Sequence, residues 1–259
     1  MVRSVTHSHS RQWHRIHLSQ VRHGWPIVLG VGLMGAVLAA LGYFGSVDWA
    51  LLIQALAETT YRDVNIALAN QFAIFAEGAN IDIAKVIAAS NSQPYSHIHQ
   101  PGIAVGGHCI PIYPRFYLWN DPEATVVRAA HAANAGMPAH AVSLLSSALG
   151  SLQGKKVVVL GISYRGGVKE SAFSGVFGTV TALKAQGADV VVHDPMYTDE
   201  ESTKLGFTPF ALGGNVDAVI LQADHAEYKA LTAKDFPGVK AIVDGRRALN
   251  PANFAGIDF

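Results

Sequence analysis

The chain has one cysteine, Cys109, directly preceded by Gly106, Gly107 and His108. A thiolate is both a strong nucleophile and a good leaving group, which is what covalent catalysis at a carbonyl requires. The paired glycines let a ligand approach the backbone and expose its N–H groups. The adjacent imidazole is of the kind that favours a thiolate. A lone cysteine is more commonly a small buried hydrophobe. Here the polar, glycine-rich surroundings favour the reactive reading. Gly102, Gly106, Gly107 and His108 are therefore candidate ligand contacts beside the nucleophile.

A second set of chemistry-bearing residues lies near the C-terminus. Arg165 and Lys169 follow one short apolar run, with Gly161, Gly166 and Gly167 between and around them, and Arg246 and Arg247 follow another. Arginine suits bidentate binding of phosphate. The alternative for each cation is an exposed solubilising charge. The position of Arg165 and Arg246 just past an apolar run favours the ligand reading.

The elements that must position these residues are legible from pattern. Leu52, Leu56, Val64, Leu68, Phe72 and Phe75 recur at helical spacing, which predicts one long helix over 49–78 ended by Gly78. That stripe is consistent with core packing or with a partner helix. A shorter helix is expected over 81–90, with Asp82 near its start. The segment 93–114, QPYSHIHQPGIAVGGHCIPIYP, carries Pro at 94, 101, 111 and 114. So many breakers exclude a helix or central strand there, leaving a shaped loop that holds Cys109. Tyr95, His97 and His99 are candidates to line its pocket.

From residue 155 onward strand-like runs alternate with helix-like ones. Strands read at 155–163, 190–195, 216–224 and 239–245, with a helix over 172–187. This alternation means a parallel, doubly wound sheet, whose ligands sit at the carboxyl ends of the strands. Asp194 reads as a structural strand-end residue, and Asp224 and His225 as polar turn residues.

Composition bounds the function class. The chain has 259 residues, half of them hydrophobic and 15% charged, so it can bury a core. Nineteen basic residues balance nineteen acidic ones, which argues against a nucleic-acid binder. A single cysteine excludes an internal disulfide framework or a Cys-built zinc site and points to a reducing compartment.

Residues 1–54 differ from the rest. No Asp or Glu occurs from Met1 to Val47, four Arg and five of the twelve His precede Gly24, and Trp25–Val47 carries no charge. Three readings stand open. The run is long enough, at about 20 apolar residues, for a membrane anchor with its basic flank in the cytoplasm. Gly30, Gly32 and Gly35 also fit the GxGxxG spacing of a dinucleotide turn, although Asp48 comes early for a ribose partner and no complete βαβ unit follows. Thirdly, the segment reads as the product of a wrong start or shifted frame, joined abruptly to an ordinary sequence. No A-x-A cleavage signal is clearly placed after the run, which makes a removed signal peptide the weaker reading.

YRDVNIALANQ (61–71), PGIAVGGHCIP (101–111), GISYRGGVKESAFSGVF (161–177) and VDGRRALNP (243–251) together resemble the UDP-glucose/GDP-mannose dehydrogenase family. The nearest branch is that of UDP-N-acetylmannosamine and UDP-N-acetylglucosamine 6-dehydrogenases. The resemblance covers about residues 56–256. It implies an α/β protein with a central helical, dimerisation-type domain (55–150) followed by a Rossmann-like doubly wound sheet domain (151–259) that holds a UDP-sugar. It implies NAD as cofactor, a homodimer through the long helix, a cytoplasmic location (or an inner-membrane anchor through 25–47), and uronic acids for surface polysaccharide as product. Cys109 would attack the C6 aldehyde, giving a thiohemiacetal and then a thioester that water hydrolyses. Arg246 would reach the active site, and Arg165 a phosphate or sugar. The pattern departs from the family at four points. The NAD-binding domain is missing or reduced to residues 25–50, and Ala55, Thr59 and Tyr113 stand where the family has Lys, Asn and Asp. A UDP-sugar-binding module without catalysis, membrane-tethered or not, is the alternative.

Overall fold

The structure is a computed structural model that describes residues 49–258. The expectations that fall on residues 1–48, including the Gly30, Gly32 and Gly35 turn and the 25–47 anchor, lie outside the described residues. From Ile53 onward the described chain forms one compact unit.

Four helices come first: α1 (Trp49–Gly78), α2 (Ile83–Ser90), α3 (Tyr113–Asn120) and α4 (Thr125–Leu149). Asp82 caps α2 by accepting from Ala84 N at 3.1 Å, which satisfies one of the free N–H groups of the first turn. Residues 93–112 hold neither helix nor strand, as the breakers require. The helix α4 was not foreseen. Its apolar residues are mostly Ala and Val and it carries Pro138 internally. Its buried residues nevertheless recur at i, i+3 and i+4: Val127, Ala130, Asn134, Pro138, Ala141, Leu145.

The strands are β1 (Lys156–Leu160), β2 (Asp189–His193), β3 (Ala218–Leu221) and β4 (Ala241–Asp244), shorter than the runs that announce them. All pair in parallel, in the order β2-β1-β3-β4. Their Val, Ile and Leu runs are buried on both faces, as parallel strands must be. On one face lie α4 and α5 (Val176–Ala185), through Val142, Leu145, Val176 and Leu183. The other face is covered by Phe210, Tyr228, Phe236 and Phe254. These aromatics come largely from 3₁₀ turns, so no full helix joins β3 to β4. A short helix, α6 (Asp199–Lys204), follows β2 and opens with a capping box between Thr198 and Glu201. Strand order reverses between β1 and β3, and this crevice is where such sheets bind ligands.

The apolar stripe of α1 does not enter this core. Phe75 is 76% exposed, and Leu52, Leu68 and Phe72 are exposed with it. The inward face is instead small and polar: Thr59, Asp63, Ala67 and Asn70, at helical spacing. Core packing within one chain therefore does not account for the stripe.

Candidate active site

Cys109 is exposed and its thiol is free. Its carbonyl accepts from Ile112 N at 3.1 Å and Tyr113 N at 3.0 Å, so the chain turns directly from the cysteine into α3. The loop before it is bolted to the sheet domain. Gly107, at φ 89°, adopts the left-handed conformation that glycine tolerates, and its N–H donates to Ala172 O at 2.9 Å. Gly106 lies against Tyr164 so closely that a Cβ there would stand 2.5 Å from the tyrosine Cβ. His108 is exposed and reaches Glu170, with Nε2 3.1 Å from Oε2. The Ala172 N–H and then His108 hold the Glu170 carboxyl below its ordinary range.

Arg246 follows β4 and faces this loop. Its Nε donates to Gln222 O at 3.1 Å and Nη2 to Tyr164 O at 3.3 Å. Burial lowers its pKa, and Asp224 opposes that effect; an arginine stays charged regardless. A Cβ on Gly102 would come within 2.8 Å of Arg246 Nη1, so a larger residue at 102 would make the guanidinium shift. Arg165 packs over the Tyr164 ring, 5.7 Å from its centroid, and its Nε donates to the phenol oxygen at 3.1 Å. A cavity of about 170 Å³ opens here, lined by Ile66, Gly102, Gly106, Tyr164, Arg165 and Arg246. It is lined by residues that follow the carboxyl ends of β1 and β4, with two cations on its wall.

The structure thus brings Gly102, Gly106, Arg165 and Arg246 to one cavity, with Gly107, His108 and Cys109 continuing the same loop. Lys169 is elsewhere: its Nζ is 2.6 Å from Glu201 Oε1 and lies over Tyr197. Arg247 is turned to Asp82, at 2.6 Å. Tyr95 is 92% exposed and lines none of the described cavities, and His97 and His99 are tied by their backbone to Asn65. Thr59 Oγ1 is folded back onto Ala55 O at 2.6 Å, inside its own helix. Among the described residues no group of three or more His, Cys, Asp or Glu could hold a metal ion.

His225, read from sequence as a polar turn residue, is buried. Gly167 N donates to its Nδ1 at 3.4 Å, so its Nε2 carries the hydrogen directed at Asp194 Oδ2, 3.1 Å away. Asp194 also accepts from Ile162 N and Ser163 N, at 2.7 and 2.9 Å, and from Met196 N at 2.8 Å. Burial works to raise the Asp194 pKa, but the His225 bond and these N–H groups outweigh it and the carboxyl sits below its ordinary range. This pair fixes the turn that carries Tyr164 and Arg165.

The same details decide whether β1 and its turn could seat a dinucleotide. Such a site needs a tight turn onto an open helix N-terminus and a free acid after the second strand. Here all of 161–175 separates β1 from α5. At the start of α5, a Cβ on Gly175 would meet Ala104 and Gln222 at 2.4 and 2.5 Å, so those two residues pack directly against the first turn. Asp194, after β2, is spent on the protein's own N–H groups. The described residues do not fit NAD.

The central domain of the UDP-glucose/GDP-mannose dehydrogenase family matches residues 53–136, and the UDP binding domain of that family matches residues 158–251. A UDP-N-acetyl-D-mannosamine dehydrogenase of Pyrococcus horikoshii is 34% identical over 202 residues, 75% of this chain and 47% of that protein. A solved UDP-D-ManNAc dehydrogenase from Pyrococcus horikoshii matches with a TM-score of 0.67 at 32% identity, over 78% of this chain and 49% of that one. The UDP-N-acetyl-mannosamine dehydrogenase of Staphylococcus aureus matches with a TM-score of 0.66 at 32% identity, over 78% and 48%. The chain spans about half the length of the relatives it matches.

Proposed function

The chain belongs to the UDP-glucose/GDP-mannose dehydrogenase family, and from that premise we propose that it binds a UDP-sugar and carries the cysteine of a nucleotide-sugar 6-dehydrogenase. The observation that carries this reading is the cavity where Arg165 and Arg246 meet the loop of Cys109. Two fixed cations at strand ends suit a pyrophosphate, and the exposed thiol follows a few residues along the same loop. The names of the relatives favour UDP-N-acetylmannosamine as the sugar nucleotide, with the uronic acid serving surface polysaccharide in the cytoplasm.

The chemistry assigned to these residues is the part that needs no electron acceptor. The Cys109 sulfur adds to C6 of the sugar aldehyde, the carbonyl oxygen takes up a proton, and a thiohemiacetal forms. At the other end of the reaction, water adds to the thioester carbonyl and the thiol leaves with a proton, giving the acid. The family uses NAD as hydride acceptor for the oxidations between alcohol, aldehyde and thioester. The described residues offer it no seat, so no oxidation step is assigned to them. Gly30, Gly32 and Gly35 are the residues of this chain with the spacing for NAD.

Ala55, Thr59 and Tyr113, in place of polar family residues, favour a second reading: a module that holds UDP-sugar without oxidising it. Calorimetric titration with UDP-N-acetylmannosamine, run beside an assay for NADH formation, separates the two. Binding with NADH formation supports the dehydrogenase. Binding alone supports the module, and absence of binding contradicts both.

The exposed stripe of α1 supports a homodimer with the stripe as its contact. Among the described residues no helix is long and apolar enough to cross a membrane; an anchor would have to come from residues 25–47.

A further inference from the structure

Both ends of the Cys109 loop are tied to one chain of polar side chains that runs between α1 and α4, buried at Asn70, Asn134 and Asp63 and reaching the surface at His131 and Arg115. Ahead of the cysteine, Gly102 N donates to Asn70 Oδ1 at 2.9 Å. Asn70 Nδ2 donates to Asn134 Oδ1 at 2.9 Å, and Asn134 Nδ2 donates to Asp63 O at 2.9 Å and to Asp63 Oδ1 at 2.7 Å. The second carboxylate oxygen, Asp63 Oδ2, lies 3.2 Å from His131 Nδ1. On the far side of the ring, Arg115 Nε donates to His131 Nε2 at 3.4 Å. Arg115 belongs to α3, which the chain enters straight from Cys109.

Asn70 is 0% exposed, Asp63 1% and Asn134 5%. Polar groups buried so completely are costly unless bonded, and here each is bonded to the next. None of them contacts the cavity of Arg165 and Arg246 directly.

We propose that Asp63, Asn70 and Asn134 are positioning residues that set the Cys109 loop at both ends, and so place the thiol relative to the bound nucleotide sugar. The purpose of the placement rests on the UDP-sugar reading; the tie itself does not. The two arms can be cut separately. An Asp63 carboxylate only accepts, so His131 carries its hydrogen on Nδ1 and leaves Nε2 free to accept from Arg115. In Asp63→Asn the amide oxygen still accepts from Asn134, but its NH₂ now donates to His131 Nδ1. The ring hydrogen moves to Nε2 and confronts the Arg115 N–H. The α3 arm is lost and the Gly102 arm stays.

Hydrogen–deuterium exchange on the full chain, with UDP titration, tests this. Asn134→Ala is expected to speed exchange about tenfold in 101–109 and in 113–120, from the loss of bonds each worth about a fivefold factor. Asp63→Asn is expected to do so in 113–120 alone. Asn65→Ala, which frees His97 O and His99 N instead, should leave both segments unchanged. Asn134→Ala should also bind UDP about fivefold more weakly. A folded Asn134→Ala with unchanged exchange in 101–109, or faster exchange there with unchanged UDP affinity, overturns the proposal. Should that variant fail to fold, Asp63→Asn decides: equal effects on both arms, or none, overturn it. If the wild-type chain binds no UDP while the exchange pattern holds, the UDP-sugar reading fails and the tie stands.

Discussion

Cys109 is the proposed nucleophile, and the sequence marks it through its company rather than its type. Glycines and a histidine beside a lone thiol are visible in one line of residues. Arg165 and Arg246 are legible too, because a cation just past an apolar strand run sits at the ligand end of a parallel sheet. Lys169 satisfies the same rule and is nevertheless drawn off by Glu201, since an ion pair between segments far apart in the chain leaves no local trace. Asn70 and Asn134 escape sequence reading for the same reason: each looks like an ordinary polar residue in a helix. Replacing Cys109 by Ser should abolish formation of the acid, measured by mass as the uronic acid product of UDP-N-acetylmannosamine with NAD supplied, while leaving UDP affinity within about twofold, because the hydroxyl keeps the shape but is a far weaker nucleophile. Gly106→Ala should weaken UDP binding about tenfold and lower stability by about 2 kcal/mol. The added methyl has to displace the Tyr164 backbone-proximal Cβ rather than a mobile tip. Calorimetry and thermal unfolding check the two effects.

Elements were read well where periodicity and breakers agree. The helix over 49–78 and most of the loop over 93–114 follow from them directly, and the four strand positions from short apolar runs; Tyr113 and Pro114, read as loop, open α3 instead, because proline is accepted in a first helical turn. The side of α1 that packs inward does not follow: hydrophobic spacing points to Leu68, Phe72 and Phe75, whereas Asp63, Ala67 and Asn70 are the buried set. A hydrophobic stripe reports what must be covered, not which molecule covers it. The turn after β1 offers a test at this scale. The Asp194 carboxyl titrates below its ordinary value in the folded state, so between the two values the unfolded chain binds the extra proton. Its contribution is complete above the ordinary carboxylate pKa and is lost as pH falls through the lowered one. Stability should therefore drop on acidification below pH of about 4, and Asp194→Asn should flatten that slope. The same variant should cost about 3 kcal/mol at neutral pH, because it leaves His225 and three N–H groups poorly satisfied. Denaturant melts across pH 2–7 measure both, a range set by ordinary carboxylate titration on the order of pH 4; an unchanged slope would remove Asp194 from the account.

At the scale of the whole molecule, two surfaces ask for partners. The α1 stripe should hold two copies together: sedimentation should find a dimer in the wild-type chain and a monomer in Phe72→Glu/Phe75→Glu, with the helical content retained. A wild-type monomer would contradict this use of the stripe. The other surface is the cavity bordered by the Cys109 loop, which Ile66 of α1, that loop and the turns after β1 and β4 line, and which is proposed to take a nucleotide sugar. Because the chain holds one cysteine, its alkylation by iodoacetamide reports, without interference, on whether a ligand in that cavity reaches the adjoining Cys109 loop. The most direct measurement is the rate of Cys109 alkylation, followed by intact mass, with and without UDP-N-acetylmannosamine. Saturating UDP-N-acetylmannosamine should slow alkylation at least about tenfold, the factor of about 1.4 kcal/mol that shielding by a bound ligand readily supplies, and free N-acetylmannosamine should not. Equal rates with and without the nucleotide sugar would contradict the placement of a UDP-sugar against Cys109.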